Sequence, residues 1–464
     1  MQKIIINNFG AVKNAEIDIK KVLILIGEQA SGKSTIAKLI YFFRSLRDDL
    51  SALMFSNEQK DSFDEQLDFL KPLCIKFYNL FGPTYHLPNF EITFYYSVEE
   101  DKFIRLTLNA QKELNSKISN NFFNDEFKND VNELRFRLQL LEKEQNAAEK
   151  IFNNKKRIEL IRKLYYSVNK LLQIQQEDNV FIVAGRTATV SYSDLFEKYL
   201  FASIQNKLEK NNEQPIASKT QTIDLELMIQ FIKHVSFLKD SMASIQASVE
   251  QGIVHGHYWE NYSIIKRQIQ LILKGNYIID DSGEKIIFGK EESLGEYIYL
   301  SNSSSGQQEV VRILQDVLWA VSHERKISRI IEEPEAHLFP IAQKQLVELL
   351  ALMVNQDIDN QLIITTHSPY ILATFNNLLF AKRVIDKNPN AEKEVSEIVA
   401  PEFRLDANEF AAYSLTHNEK EDYCTAIMSE RGLISENYLD TVSDVLSNDF
   451  DVLYNIHAQM YARK

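Results

Sequence analysis

Short runs of aliphatic residues divide the beginning of the chain into predicted strands and one helix. Isoleucines at 4–6 and the alternating segment 15–19 flank turn residues at 8–10, which is typical of a hairpin. Five consecutive aliphatic residues at 22–26 predict a strand that is buried on both faces. The apolar periodicity of residues 35–43 predicts a helix, with a glycine-containing loop between it and the buried strand.

Apolar residues at alternating three- and four-residue steps follow in two series, which is the spacing of a coiled-coil seam. The first series comprises Val131, Leu134, Leu138, Leu141, Gln145, Ala148 and Phe152. The second comprises Ile158, Ile161, Tyr165, Val168 and Leu172. The change of register predicts two antiparallel helices with a tip near Asn154, or one long helix with a stutter. The segment is either a projecting arm for dimerisation or partner docking, or a helix pair packed on the body.

Strand and helix patterns alternate in the rest of the chain. Strands are predicted at 91–96 and 180–184, and a hairpin is predicted from 276–279 and 285–288. A long apolar helix is predicted at 310–321, and an apolar strand is predicted at 361–366. The tail after residue 386 looks helical. This alternation predicts an α/β fold.

Composition and charge narrow the class of protein. The 464 residues carry a net charge of −13, which argues against a surface that wraps DNA all round but not against a local basic groove. Cys74 and Cys424 are far apart in sequence and have no metal-type spacing, so we expect neither a disulfide framework nor a zinc site, and we expect a cytoplasmic location. The sequence shows neither a secretory signal nor an apolar stretch long enough to cross a membrane.

The loop after the buried strand carries a phosphate-binding motif. Two glycines let successive N–H groups point into one concavity, and the following helix adds its positive dipole end. The lysine of such a motif reaches the β- and γ-phosphates, and the Ser hydroxyl ligates Mg²⁺. The pattern G-x-x-x-x-G-K-[ST] is matched by Gly27, Glu28, Gln29, Ala30, Ser31, Gly32, Lys33 and Ser34, with Thr35 next.

Two further strands end in residues that suit nucleotide chemistry. An apolar strand is followed by Glu332 and Glu333, and we expect Glu332 to hold Mg²⁺ through its water shell and Glu333 to act as general base. The strand at 361–366 delivers His367 at its carboxyl end, where open α/β sheets place their ligands. His367 can donate a hydrogen bond to the γ-phosphate or to the attacking water.

A serine-rich turn at the start of the long apolar helix predicts a second anion site. It consists of Ser303, Ser304, Ser305, Gly306, Gln307, Gln308 and Glu309. Because one phosphate loop is already present, we expect this turn to close over the γ-phosphate bound by a partner subunit.

Together these motifs resemble the ABC-type ATPase heads of the SMC, RecF and OLD group over residues 1–45 and 295–385. The resemblance implies ATP and Mg²⁺ as cofactors and Glu333 and His367 as catalytic residues. The signature loop matches at Ser304, Gly306 and Gln307. The remaining roles are Walker A for Gly27–Ser34, Walker B for 330–333, the D-loop for 335–337 and the switch histidine for His367.

Two departures from that group concern catalysis. Walker B normally ends in Asp-Glu, and the longer Glu332 here implies looser metal geometry and slow hydrolysis. The glutamine that usually follows Walker A has no counterpart on a strand, since the candidates fall between Gln59 and Gln66.

The resemblance also implies an architecture. It is an α/β ABC-ATPase head, a mixed β-sheet with flanking helices, interrupted by a helical or coiled-coil insertion. Heads of this kind pair head to tail with a second copy, forming a homodimer or a higher even oligomer. The implied parts are an N-terminal lobe at 1–110, the insertion at 111–275, a C-terminal lobe at 276–385 and a helical tail at 386–464.

The short insertion favours the compact branch of the group, and the motifs look most like stand-alone anti-phage ATPases of the Septu or PARIS type. That likeness implies an ATP-gated sensor or scaffold that controls a partner effector, a nuclease. OLD nucleases carry a Toprim domain, but Asp449 and Asp451 lack a strand context and are interpreted as a solvated helix end. We therefore expect no nuclease within this chain.

Two alternatives stay open at the level of sequence. A RecF-like repair ATPase would act on DNA directly, and its DNA affinity would fall steeply with salt. A structural oligomer would bind nucleotide without turnover.

Overall fold

The computed structural model describes residues 1–56, 64–143, 147–191, 222–250, 257–289, 296–417, 422–435, 447–454 and 457. The strands are β1 Gln2–Phe9, β2 Val12–Ile19, β3 Val22–Gly27, β4 Glu91–Ser97, β5 Lys102–Leu108, β6 Leu114–Ile118, β7 Asp178–Ile182, β8 Asn276–Asp280, β9 Gly283–Ile287, β10 Tyr297–Tyr299, β11 Ile327–Glu332, β12 Gln361–Thr366, β13 Phe410–Leu415 and β14 Cys424–Ala426. The α-helices are α1 Lys33–Ser56, α2 Lys71–Phe81, α3 Asp125–Lys143, α4 Ala147–Leu172, α5 Ala188–Ser191, α6 Ile223–Glu250, α7 His257–Leu273, α8 Ser305–Ser322, α9 Pro340–Asn355, α10 Pro369–Lys387 and α11 Glu392–Ser396.

A six-stranded sheet of order β14-β13-β3-β12-β11-β7 positions the candidate site. All neighbouring pairs are parallel except β13 with β14. Every residue of β3, β11 and β12 is buried, which is the pattern of parallel strands covered on both faces. Since these three strands run in the same direction, the segments that follow them emerge at one edge. The mixed sheet with flanking helices confirms the predicted fold class.

An antiparallel sheet of order β2-β1-β4-β5-β6 lies beside it, and a small sheet has the order β10-β9-β8. The hairpins predicted near the N-terminus and at 276–288 are both present. The antiparallel sheet extends to β6 at Leu114–Ile118, past the predicted end of the N-terminal lobe at residue 110. Strand β7 lies within the predicted insertion, yet it pairs with β11 of the six-stranded sheet. The four-part division of the chain stays a prediction.

The predicted coiled-coil segment forms two helices that pack against each other. Contacts from Lys170 to Glu126 and from Ser167 to Asp130 show that α3 and α4 are antiparallel. The predicted tip near Asn154 was wrong, because α4 begins at Ala147. Both helices also contact α1, which favours the packed pair over a fully projecting arm.

The predicted seam holds in α3 and fails in part of α4. Val131, Leu134 and Leu138 are buried, as expected. Ile158 and Tyr165 are exposed, and Leu160 and Leu164 are buried in their place. The apolar stripe of α4 thus reaches Val168 through four-residue steps, which suits packing on the body. The side chains of Leu141, Gln145, Ala148 and Phe152 lie outside the described residues.

The tail beyond residue 386 is not purely helical, and this expectation was wrong. Strand β13 inserts next to β3, with Leu415 opposite Gly27, and β14 forms the sheet edge. The apolar run of residues 410–415 is the signal that the sequence offered. Residues 447–454 are helical and exposed, as expected for Asp449 and Asp451. Over the described ranges, no helix has the length and apolar character needed to cross a membrane.

We predict that the two ends of the tail contribute very differently to stability. A chain ending at Asn408 loses β13, whose Phe410 and Leu415 are buried against the core. Its melting temperature should fall by about 10 °C or more, because several apolar side chains lose their burial and β3 becomes an edge strand. A chain ending at Leu446 loses only residues that are exposed wherever they are described, and it should melt within about 2 °C of the full chain. Equal melting temperatures for the two truncations, measured by calorimetry, would contradict this.

Candidate nucleotide-binding site

The phosphate loop joins β3 to α1, as predicted, and its glycines are required by close packing. Gly27 has a φ of +151°, and a Cβ there would lie 2.1 Å from the carbonyl oxygen of Leu415. Gly32 has a φ of +96°, and a Cβ there would lie 2.7 Å from the hydroxyl of Tyr423. Both glycines are therefore fixed by the C-terminal segment that covers the loop as well as by the turn itself.

Lys33 is buried and already points into the loop. Its Nζ donates to the carbonyl oxygens of Gly27 at 2.9 Å and Glu28 at 2.6 Å. Burial lowers the pKa of Lys33 to about 8, although the charges of Glu333, Glu335 and Glu28 act in the opposite direction. A cation that is poorly solvated and held among carbonyls is prepared to bind an anion.

The rest of the loop forms the entrance of the cradle. Gln29 and Ala30 are exposed, Ser31 is buried, and Ser34 and Thr35 are half-buried in the first turn of α1. The first N–H groups of an α-helix have no acceptor within the helix, so this turn presents donors and a positive dipole end.

The paired acids and the histidine meet at the carboxyl edge of the sheet. Glu333 Oε1 lies 3.2 Å from His367 Nε2, and both side chains are partly exposed. This contact, together with the charges of His367, Lys33 and Arg186, lowers the pKa of Glu333 despite partial burial. Glu333 is thus a carboxylate that water can reach.

The backbone around this pair is held by specific hydrogen bonds. Glu333 has a φ of 43°, and its N–H donates to the carbonyl of Thr365 at 2.9 Å. Glu335 accepts from the Thr366 hydroxyl at 2.6 Å and from the His367 N–H at 2.8 Å. Glu335 therefore fixes the segment that carries the histidine, and sequence reasoning gave it only a D-loop position.

Glu332 fits a role in a cation site. It is buried, and its Oε2 accepts from the Ala184 N–H at 3.3 Å, while its Oε1 is buried without a hydrogen-bond partner. Lys38, one turn beyond Ser34, places its Nζ 4.0 Å from that oxygen. Within the described residues, no group of three or more His, Cys, Asp or Glu could hold a metal. Mg²⁺ in nucleotide sites commonly takes one or two carboxylates from the protein and its other ligands from phosphate and water.

The serine-rich turn forms the start of α8 and is partly satisfied within the chain. Ser304 caps the helix, and Gln307 completes a capping box with it. The Gln307 side chain also donates to the Leu273 carbonyl at 2.7 Å. Ser304 and Ser305 are exposed, and Gly306 packs so closely that a Cβ would lie 2.6 Å from the His337 carbonyl oxygen.

The structure brings most of the predicted site residues to one edge. The sheet register places the phosphate loop, Glu332, Glu333 and His367 there together. Among the described residues, no hydrogen bond joins the serine-rich turn to the phosphate loop of the same chain. Gln66 is exposed on a π-helical turn at Gln66–Leu70, and Gln59 lies outside the described residues.

Sequence reasoning missed several residues that support the site. Tyr423 donates its hydroxyl to the Ser31 carbonyl, and His417 Nε2 lies 3.3 Å from the Ala30 carbonyl oxygen. Arg186 is fully buried beneath the paired acids. The glycine that ends the predicted strand, Gly185, marked the turn that carries Arg186, and in the structure it has a φ of 71°. Nothing in the local pattern indicated Tyr423 or His417.

The parallel sheet and its phosphate loop define an α/β protein with the loop of a nucleotide-binding ATPase. The chain belongs to the AAA ATPase domain family, whose model matches residues 1–372. A search among curated proteins found no match.

Solved structures of SMC head domains are similar to this chain at low identity. One is the SMC head bound to the C-winged helix domain of ScpA, with 10% identity, a TM-score of 0.35 and coverage of 80% of this chain and 91% of that one. The Thermotoga maritima SMC head has 11% identity, a TM-score of 0.32 and coverage of 80% and 90%. The Pyrococcus furiosus SMC head with an extended coiled coil, bound to the C-terminal domain of ScpA, has 10% identity, a TM-score of 0.34 and coverage of 97% and 99%. Family membership rests on the sequence match.

We predict that nucleotide affinity falls as the pH rises above about 8. Free Lys33 loses its proton near pH 8, whereas a bound polyanion raises its pKa, so binding at higher pH requires proton uptake. Affinity is therefore constant well below pH 8, and Kd rises by about tenfold per pH unit well above it. Calorimetry in two buffers of different ionisation enthalpy should show proton uptake at pH 9 that is absent at pH 7. Proton uptake should vanish in Lys33→Arg, whose guanidinium does not titrate here, and a constant Kd up to pH 9.5 in the wild type would contradict the prediction.

We predict that Tyr423→Phe weakens nucleotide binding by about fivefold, since one hydrogen bond of about 1 kcal/mol holds the Ser31 carbonyl. The ring is kept, so the change removes only the hydroxyl that contacts Ser31 and Gly32. Tyr96→Phe is the matched control, because Tyr96 is also buried and donates to the Phe43 carbonyl within α1. Equal affinity losses in the two variants, measured by calorimetry, would show that the Tyr423 contact has no specific role.

Proposed function

We propose that the chain binds ATP with Mg²⁺ and hydrolyses it slowly, as the ABC-type ATPase subunit of a bacterial anti-phage system. In this proposal it pairs head to tail with a second copy and controls a partner effector, a nuclease. The observation that carries hydrolysis is the contact of Glu333 with His367 beside the loop that holds Lys33.

The phosphate loop supplies binding and charge neutralisation. Lys33 exchanges its contacts with the carbonyls of Gly27 and Glu28 for the β- and γ-phosphates. Ser34 would hold Mg²⁺ directly, and Glu332, whose Oε1 has no hydrogen-bond partner, would hold it through its water shell. The ion would neutralise charge on the phosphates. The other residues assigned to the cradle are Gly27, Glu28, Gln29, Ala30, Ser31, Gly32 and Thr35.

Glu333 and His367 supply the chemistry at the γ-phosphate. The Glu333 carboxylate is solvent-accessible and its pKa is low, so at neutral pH it is ionised and can orient and deprotonate a water. His367 Nε2 lies 3.2 Å from Glu333 Oε1 in the resting chain and can turn to an oxygen of the γ-phosphate. The left-handed backbone at Glu333 is a local strain that the Thr365 hydrogen bond maintains.

The exposed start of α8 supports completion of the site by a second copy. Ser304 and Ser305 are exposed at the positive end of an 18-residue helix, and Gly306 is half-buried beside them. Two exposed aromatic residues begin neighbouring helices beside the site, Phe339 before α9 and Tyr370 in α10. Gln343 links those helix starts through the Leu338 carbonyl and the Ser368 hydroxyl. Exposed aromatic residues beside the site suit an interface with another copy.

Control of an effector is supported by the resemblance to defence ATPases. It is also supported by the short length of the α3–α4 pair, which favours the compact branch of the group. ATP can gate a partner only if the partner binds the open and closed dimers with different affinity. Slow turnover suits this role because it prolongs the closed state.

We predict that Glu333→Gln lowers kcat at least about 100-fold and traps an ATP-bound dimer, because binding survives while the base is lost. Lys33→Ala should abolish both binding and dimerisation. The measurements are phosphate release and mass photometry with ATP and Mg²⁺. Unchanged turnover in Glu333→Gln would refute the assignment of the base, and wild-type protein that binds ATP without turnover would favour a structural oligomer.

The effector is tested by purifying the chain with the product of the neighbouring gene. We expect co-elution and a change in nuclease activity that depends on ATP. Absence of both would refute this part, and duplex DNA that stimulates phosphate release by itself would favour direct action on DNA.

A further inference from the structure

Arg186 is one of the largest fully buried side chains among the described residues, and it lies directly beneath the paired acids. It follows β7 at a glycine turn, on the segment between the sheet and α5. Desolvation lowers its pKa, although four surrounding glutamates favour its charge. A buried guanidinium is retained only where its donors are satisfied, so its partners indicate what it holds.

One set of partners lies on α8. Arg186 Nε donates to the Glu309 carbonyl at 3.0 Å and lies 3.2 Å from its Oε2. The Glu309 carboxylate also accepts from the N–H groups of Arg186 at 3.1 Å and Thr187 at 3.3 Å. Glu309 is the last residue of the serine-rich turn and is buried, so this contact ties the start of α8 to the segment after β7.

The other set of partners is the backbone of the paired acids. Arg186 Nη1 donates to the Glu332 carbonyl at 2.7 Å and to the Val183 carbonyl at 3.0 Å. Its Nη2 donates to the Glu333 carbonyl at 2.9 Å. The guanidinium thus spans from α8 to the residue proposed as general base, which sits on a left-handed backbone.

We infer that Arg186 is a positioning residue that clasps the backbone of Glu333 to the start of α8, so that the orientation of the base depends on where the serine-rich turn sits. This rests on the proposed function and adds a coupling to it. The close packing of Gly306 on the His337 carbonyl is a second contact between the same two segments. When a triphosphate bound by the partner subunit contacts the serine-rich turn, a shift of that turn moves Arg186 and thereby changes the orientation of Glu333 in the same chain.

Lysine cannot replace arginine in this role. The contacts use three nitrogens of a planar fork that points in different directions, whereas an ammonium is a single point with three donors. Arg186→Lys therefore keeps the charge beside Glu309 and loses part of the reach to the Glu332 and Glu333 carbonyls.

The test compares Arg186→Lys with Arg329→Lys in the full chain. Arg329 is equally buried and also bonds α8, through Asp316 at 2.6 Å, but it contacts Asp178 rather than Glu333. The measurements are melting temperature, Kd for ATP with Mg²⁺, kcat, and hydrogen exchange at the Glu333 amide. For Arg186→Lys we expect kcat to fall at least about tenfold, Kd to change less than about threefold, and the Glu333 amide to exchange faster. For Arg329→Lys, at a similar loss of melting temperature, kcat and that amide should change less than about threefold.

The outcomes separate the clasp from the proposed function. Equal effects of the two lysine variants on kcat and on the Glu333 amide would overturn the clasp. If Arg186→Lys does not fold, Glu309→Gln serves, since it weakens the ion pair and keeps the carbonyl acceptor, and unchanged kcat and exchange there would also overturn it. If the wild-type protein does not hydrolyse ATP, the proposed function is refuted instead. Hydrogen exchange at the Glu333 amide in the two lysine variants would still test whether Arg186 positions Glu333.

Discussion

The parallel alignment of β3, β12 and β11 is the constraint on which the candidate site depends. Ile26 pairs with Thr366, and Thr365 pairs with Glu332, so the phosphate loop, the histidine and the acids begin at nearly the same level. All three strands are buried at every position, which fixes their register through the core. Residues separated by hundreds of positions in sequence therefore meet because hydrophobic burial aligns the strands, and the polar chemistry is placed at the edge where that burial ends.

Burial and charge at this edge of the sheet determine the protonation of Lys33 and Glu333. Lys33 lies in a buried pocket of carbonyls with Glu28, Glu333 and Glu335 nearby, and burial lowers its pKa more than those carboxylates raise it. Glu333 remains ionised because His367 and Lys33 offset the cost of its partial burial. The site is thus a set of opposite charges. A triphosphate would satisfy Lys33, and Mg²⁺ would satisfy the orphaned oxygen of Glu332.

The sequence predicted the parts that local patterns encode. Continuous aliphatic runs gave the buried strands, and the glycine, lysine and serine spacing gave the loop from Gly27 to Ser34. Packing against distant segments was not encoded locally. The insertion of β13 beside β3 and the Tyr423 contact with Ser31 depend on chain nearly 400 residues away. The predicted register of α4 was wrong for a related reason, because packing against α1 determines which of its apolar side chains are buried.

The central claim is that two copies share each triphosphate, and mixing two inactive variants tests it most directly. Lys33→Ala disables the cradle, and Ser305→Glu places a repelling carboxylate in the serine-rich turn at a helix start where glutamate is tolerated. A mixed dimer has one intact site and one doubly disabled site. An equal mixture should therefore regain between about a quarter of wild-type phosphate release, for random pairing, and about half, when only mixed dimers form. Recovery at that level is the result the account predicts. A mixture as inactive as its two components, although mixed dimers form, would contradict it.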